Sequence, residues 1–318
     1  MKFNFIKYLK TFLPILLGVF CIYYSFKNIN FEDFYKYFYQ IDYSWVFVGI
    51  FLGALSHISR SYRWKFLIEP MGYKLGFINS ILAVFSAYLI NYTIPRAGDL
   101  ARATLISNYE KIPFEKTIGT VVAERAIDLI SILIIIIIGL LIEFERISEK
   151  IFHFLDNKNL FFLFKIAISI TIIGCILFLI IKKSKFSKSI NNFLKGLSEG
   201  LFIVFNMDKK ISFIFHTIFI WLMYILMFYA TSKAFVDLQD VSFFQMMISF
   251  TLAALSIMFT NGGIGIYPLA VEESLGWYSI NSITGLAFGW VMWLSQTMMV
   301  IIFGGLSLFI LPFKNRNM

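Results

Sequence analysis

The chain has 318 residues, of which 59% are hydrophobic, 19% aromatic and only 15% charged. A soluble domain is about half apolar and a quarter charged. This composition, with a mean hydropathy of +0.77, therefore excludes a soluble globular protein and predicts an all-α integral membrane protein. The formal net charge of +9 does not point to nucleic acid, because the basic residues gather at the ends of apolar runs, as the positive-inside rule expects.

The N-terminal ten residues are basic and precede an apolar run over residues 11–26. Phe20 before Cys21 is too bulky for a lipoprotein-type cleavage site, so this run is expected to be an uncleaved first span. Residues 31–42, FEDFYKYFYQID, repeat aromatics at helical spacing, the mark of an interfacial amphipathic helix. Span two covers residues 43–64 and brings Arg60, Arg63 and Lys65 to its end. Residues 77–94 are apolar and run into Pro95-Arg96-Ala97-Gly98-Asp99-x-x-Arg102. Span three, residues 117–144, carries Glu124-Arg125-x-x-Asp128 near its start.

An acidic loop, residues 143–159, leads to span four at 160–181, then to Lys182, Lys183, Lys185, Lys188 and Lys195 within a second amphipathic segment, 186–205. Span five covers 211–234. Residues 243–259 are apolar and reach Thr260-Asn261-Gly262-Gly263-Ile264-Gly265-Ile266-Tyr267-Pro268, and span six covers 283–311. Cys21 and Cys175 lie inside apolar runs with neither disulfide nor metal-ligand spacing. His57, His153 and His216 are scattered, so each reads as an interfacial or packed residue and no metal site is expected.

Charge asymmetry assigns the sides. A basic N-terminus places both termini in the cytoplasm, in the inner membrane, and the acidic 143–159 loop outside. Residues 74–116 then begin and end on the cytoplasmic face, which predicts a re-entrant helical hairpin broken at 93–98. Residues 242–279 begin and end outside, which predicts a second hairpin broken at Gly262–Pro268. The first repeat spans 1–145 and the second, inverted one 160–318. The plan is about six full spans plus two hairpins, as in transporters built from inverted repeats; the alternative is eight spans.

A charge inside a bilayer costs about 2.5–3.5 kcal/mol on insertion scales, so the clustered charges need partners, water or a ligand. Arg60 and Arg63 either snorkel as anchors or meet an anionic headgroup, which arginine's planar fork suits. At the first break, proline lacks a donor and glycine tolerates unusual dihedrals. A helix starting near Gly98 would present free N–H groups to an anion, with Arg96 and Arg102 adding charge. Asp99 serves either the helix dipole or an ion pair with one of these arginines. Glu124 and Asp128 share a helix face; with Arg125 they form either a structural ion-pair network or a proton-coupling site. Arg60, Arg63, Arg96, Arg102 and Arg125 outnumber Asp99, Glu124 and Asp128 by two, provided that Glu272 and Glu273 lie elsewhere. The glycines at 262, 263 and 265 follow no strand and precede no Lys-Ser/Thr, so they read as a helix break and not a nucleotide loop.

Ser56-His57-x-x-Arg60-x-x-Arg63-Trp64, Pro95-x-x-Gly98-Asp99-x-x-Arg102, Glu124-Arg125-x-x-Asp128 and Gly262-Gly263-Ile264-Gly265 occur in that order. Together, over about residues 11–311, they resemble the lysylphosphatidylglycerol synthase transmembrane-region family, also called the flippase-like domain family. The resemblance implies a flippase-like fold and membrane lipids, anionic or polyprenyl-phosphate-linked, as partners. The chain departs from the family at Thr260-Asn261, where proline usually precedes the glycines, and in the late position of Glu272 and Glu273. No aminoacyl-transfer domain is attached, so lipid aminoacylation is not expected.

The expected function is movement of such a lipid between leaflets through a charged cavity between the hairpins, with no cofactor. The alternatives are a membrane enzyme acting on a lipid phosphate, for which no nucleophile or metal set is visible, and a proton-coupled exporter of small solutes.

Overall fold

The computed structural model describes residues 5–27, 31–94, 97–144 and 207–316. Among them every regular element is helical: α1 (Phe5–Phe26), α2 (Phe31–Gln40), α3 (Tyr43–Ile68), α4 (Phe77–Thr93), α5 (Gly98–Glu110), α6 (Phe114–Ile142), α7 (Lys210–Ser232), α8 (Phe243–Ser256), α9 (Ile266–Gly276) and α10 (Ser282–Lys314). The protein is an all-α membrane protein. The expected fourth span at 160–181, the lysine-rich segment 186–205, His153, Cys175, Pro95 and Arg96 lie outside the described residues.

Local chemistry starts several helices. Asp42 accepts a hydrogen bond from Ser44 N at the head of α3, and Asn281 accepts one from Ile283 N at the head of α10. Ser242 and Gln245 form a reciprocal capping box on α8. α7 and α10 are each long and apolar enough to cross a membrane, and α2 and α3 form a third, bent unit with an 85° angle. α4 and α8 have 17 and 14 residues. At 1.5 Å per residue that is ~26 Å and ~21 Å, short of a hydrocarbon core about 30 Å thick. Leu129, Ile130, Leu133, Ile134 and Ile137 on α6 are exposed, as are Ile301, Ile302, Phe303, Leu306 and Phe309 on α10. Such apolar surface suits lipid, not water.

α3 and α7 run antiparallel in long contact. Near the start of α3, Gly49 lies against Thr231 and the Met227 carbonyl, late in α7. Near its end, Arg63 Nη1 donates to Thr217 Oγ1 early in α7, at 2.8 Å.

α4 and α5 form an antiparallel hairpin. At its base, Glu110 Oε1 accepts from Gly76 N (3.2 Å) and Asn79 Nδ2 (2.7 Å). At its tip, Gly98 N donates to Asn91 Oδ1 at 2.7 Å, and Gly98 presses on the Ala87 carbonyl, where a Cβ would have no room. α8 and α9 also pack side by side. Their connection holds Gly262, Gly263 and Gly265 at φ of 60°, 77° and 73°, backbone that favours glycine. Pro268, expected in this break, sits in the first turn of α9 instead, where its missing N–H costs no helical bond.

α10 has 33 residues and is ~50 Å long, and both hairpins lie along it. The base of α4–α5 is tied to its C-terminal end through paired hydrogen bonds between Asn79 and Asn315. The far end of α9 meets its N-terminal end, where Gly285 faces the Glu272 backbone. The hairpins thus approach from opposite ends.

The packing pairs also correspond between halves. α4–α5 matches α8–α9, α5–α6 matches α9–α10, α4–α10 matches α8–α6, and α3–α4 matches α7–α8. One apolar core, around Phe228, Phe235, Phe250 and Phe288, binds α2 to the second half; another, around Trp64, Leu67, Ala83 and Ile106, binds α3 to α6.

Candidate functional site

Five charged side chains meet in the interior where α3, α5 and α6 converge. Arg60, Arg63, Arg102 and Glu124 are at most 3% exposed and Asp128 is 8% exposed. A helix repeats every 3.6 residues, so Arg60 and Arg63 share a face of α3, and Glu124 and Asp128 share a face of α6. Arg60 Nη1 donates to Glu124 Oε1 at 2.6 Å and to Asp128 Oδ2 at 2.5 Å. Arg63 Nη2 donates to Asp128 Oδ1 at 3.0 Å and lies 3.5 Å from Glu124 Oε1.

Arg102 closes the group from α5. Its Nη1 donates weakly to Glu124 Oε1 at 3.4 Å. Its Nη2 lies 3.2 Å from Glu124 Oε2, but out of hydrogen-bonding line, so among the described residues Nη2, like Nε, has no hydrogen-bond partner. The guanidinium stacks over Trp64, 4.4 Å from the ring centre, and Trp64 Nε1 is fixed by Thr120 Oγ1 at 2.9 Å. Arg60 and Arg63 likewise leave Nε without a hydrogen-bond partner among the described residues. Three guanidiniums against two carboxylates give a formal excess of one positive charge.

Asp99 pairs with Arg125, not with Arg102; Arg96, the other partner the sequence suggested, lies outside the described residues. Arg125 Nε and Nη2 reach its two carboxylate oxygens at 3.0 and 2.7 Å, and both side chains are about two-fifths exposed. This bidentate pair forms one wall of a narrow crevice lined by Val84, Ala87, Tyr88, Asn91, Asp99, Arg102 and Arg125. The first N–H of α5 is taken by Asn91, so Gly98 N is not free for an anion.

The second break does not join this cluster. Gly262 faces the Tyr92 ring, and Trp293 Nε1 donates to the Gly262 carbonyl at 2.8 Å. Gly265 packs on Gly18 and Cys21 of α1. Asn261 and Gly263 complete a short 3-10 turn there. The charges therefore sit within the first half, not between the two hairpins. Glu272 and Glu273 are held at the α9–α10 turn by Ser282 and Trp277, so they do not cancel the arginine excess.

Sequence reasoning read His57 as an interfacial or packed residue, and it is packed, but the partners in the neutral shell were not legible. His57 is buried among Phe85, Tyr88 and Tyr224 beside Arg60. Thr217 reaches Arg63 from the other half. Trp64 stood within the first motif, but its stacking partner is 38 residues away, and no local pattern reports that.

The fold and the buried arginine–carboxylate network define an all-α membrane protein with a charged interior. The chain belongs to the family described as the lysylphosphatidylglycerol synthase TM region, which it matches over residues 11–311. The chain is also 36% identical over 87 residues to a UPF0104 membrane protein of Methanocaldococcus jannaschii. The match takes in 26% of each chain, so this chain spans about a quarter of the length of that curated relative.

Proposed function

We propose that the protein carries an anionic phospholipid or a polyprenyl-phosphate-linked lipid between the leaflets of the cytoplasmic membrane, with both termini on the cytoplasmic side. The observation that carries this reading is Arg102. It is buried, it lines the crevice, and among the described residues its Nε and Nη2 have no hydrogen-bond partner. A phosphodiester has the geometry and charge to accept from such donors. The headgroup would enter beside Arg102 and Arg125 while its tails stay in lipid.

The matched packing pairs support an inverted repeat. A two-fold rotation that exchanges the antiparallel α3 and α7 must have its axis perpendicular to them, which for spanning helices is the membrane plane. Two short hairpins on such an axis would enter from opposite leaflets, the arrangement that lets two halves rock about a fixed site. On this reading the substrate leaves unchanged and no cofactor is used.

The experiment is reconstitution in liposomes containing phosphatidylglycerol labelled on its headgroup and quenchable from outside. Wild type should move label between leaflets faster than Arg102→Ala and than protein-free vesicles. Equal rates in all three would defeat the carrier reading. A new lipid species formed by the purified protein would replace it with an enzymatic one.

A further inference from the structure

Among the described residues the two hairpins meet tip to tip at Tyr92 and Gly262, and nothing in the charged site explains the contact. Tyr92, in the last turn of α4, lays its ring on Gly262 in the break between α8 and α9. A Cβ at Gly262 would come within 2.7 Å of Tyr92 Cδ1, so a side chain there would drive the ring away. Gly262 also holds φ 60°, doubly favouring glycine. The Tyr92 hydroxyl meets Thr297 Oγ1 of α10 at 3.1 Å.

α10 serves as a ruler for where this happens. Trp293 and Thr297 lie ~14–20 Å along the helix from Thr284, and Asn315 lies ~27 Å beyond Thr297. The junction is therefore interior, between the two hairpin bases. Asn91, which lines the crevice beside Arg102, is the neighbour of Tyr92.

We propose that Tyr92 is the gate between the two halves, its ring seated on Gly262 as the barrier a headgroup must part to pass from one hairpin's side to the other's. This rests on the carrier reading above. The second hairpin keeps its tip without Tyr92, because Trp293 holds the Gly262 carbonyl and Gly265 is seated on α1. The first keeps its tip through Asn91 and Gly98. A rotation about the tyrosine side chain therefore opens the junction while both tips stay folded. The Thr297 hydroxyl is its only hydrogen-bonded restraint among the described residues, a latch that can break and reform.

The test reads water access and lipid movement separately. In a background with Cys21→Ala and Cys175→Ala, Thr93→Cys is placed on the exposed side of the tip and the full chain is reconstituted. A membrane-impermeant maleimide is applied from outside or trapped inside. With Tyr92 intact, labelling should be markedly faster from one side than from the other. With Tyr92→Ala the two rates should converge, and Tyr92→Phe, which keeps the ring, should retain most of the asymmetry. Tyr92→Leu lacks the outer ring atoms that face Gly262 and is read in parallel in case the alanine variant does not fold. Labelling as asymmetric in folded Tyr92→Ala or Tyr92→Leu as with Tyr92 intact, or equal rates from both sides with Tyr92 intact, overturns the gate. Converged labelling rates in Tyr92→Ala without lipid movement in any form keep the gate and remove the lipid; lipid movement with unchanged labelling does the reverse.

Discussion

Arg60 Nη1 lies 2.5 Å from Asp128 Oδ2, tying α3 to α6 across 68 residues of sequence. The same nitrogen also holds Glu124, so a single guanidinium group organises both carboxylates. Removing one member of a buried ion pair leaves the other charge uncompensated and costs about 3–5 kcal/mol. Arg60→Ala should therefore lower the unfolding temperature in detergent strongly, and Asp128→Asn somewhat less, since Glu124 remains for Arg60. Arg125→Ala should change it little, because an exposed pair is worth about 0–1 kcal/mol and Arg125 is 43% exposed. An Arg125 effect as large as that of Arg60 would refute this ordering.

Arg102 depends on shape as well as charge. It stacks on Trp64, and a desolvated cation–aromatic contact is worth about 2 kcal/mol. Arg102→Lys keeps the charge but loses the planar fork and its two unpartnered donors. A hydrogen bond to a charged group contributes about 1.5–3 kcal/mol, so the lysine variant should bind or move an anionic lipid about tenfold or more weakly. Its fold should survive, judged by gel filtration. Trp64→Phe should weaken both stability and lipid movement modestly, through loss of the Thr120 hydrogen bond and part of the stack. Parental lipid movement in Arg102→Lys would show that a point charge suffices.

The positions of the breaks were legible in the sequence because covalent chemistry dictates them. α4 ends at Thr93 and α5 begins at Gly98, where proline, glycine and a sudden change of polarity occur together. The starts of α3 and α10 followed from apolar length, while their ends run on to Ile68 and Lys314, past the expected 64 and 311. What was not legible is who pairs with whom. On sequence grounds Asp99 was offered Arg96 and Arg102, but it holds Arg125, because that choice depends on how α5 packs on α6. Arg60 and Arg63 looked like interfacial anchors with equal right, and only the arrival of Glu124 and Asp128 from α6 buries them. Pro268 looked like part of the second break because proline can end a helix, but at a first turn it begins one.

The tip of the first hairpin has a narrow tolerance. Gly98→Ala would push a methyl group into the Ala87 carbonyl and the Asn91 amide, and overpacking costs about 1–3 kcal/mol. Asn91→Ala would leave the Gly98 N–H without its acceptor, a cost of about 1–3 kcal/mol. Asn91→Asp keeps an oxygen at the acceptor position and should lose less. Thermal unfolding of the three variants checks the order; an aspartate variant as unstable as the alanine one would mean that the amide acts through a different contact.

The hairpin also makes a topological prediction, because its base is closed by side chains. Glu110 at the end of α5 holds Gly76 and Asn79 at the start of α4, so the two ends of this segment lie together. Lys74 and Asn108 are exposed near that base. In a chain without its natural cysteines, Lys74→Cys and Asn108→Cys should react with an impermeant maleimide from the same side of the membrane. Eight full crossings would place them on opposite sides, but α5 has 13 residues, ~20 Å of helix, too short for a core about 30 Å thick. Opposite-side labelling would require α4 and α5 to separate and the Glu110 contacts to break, and it would remove the basis for a hairpin that enters and leaves by one face.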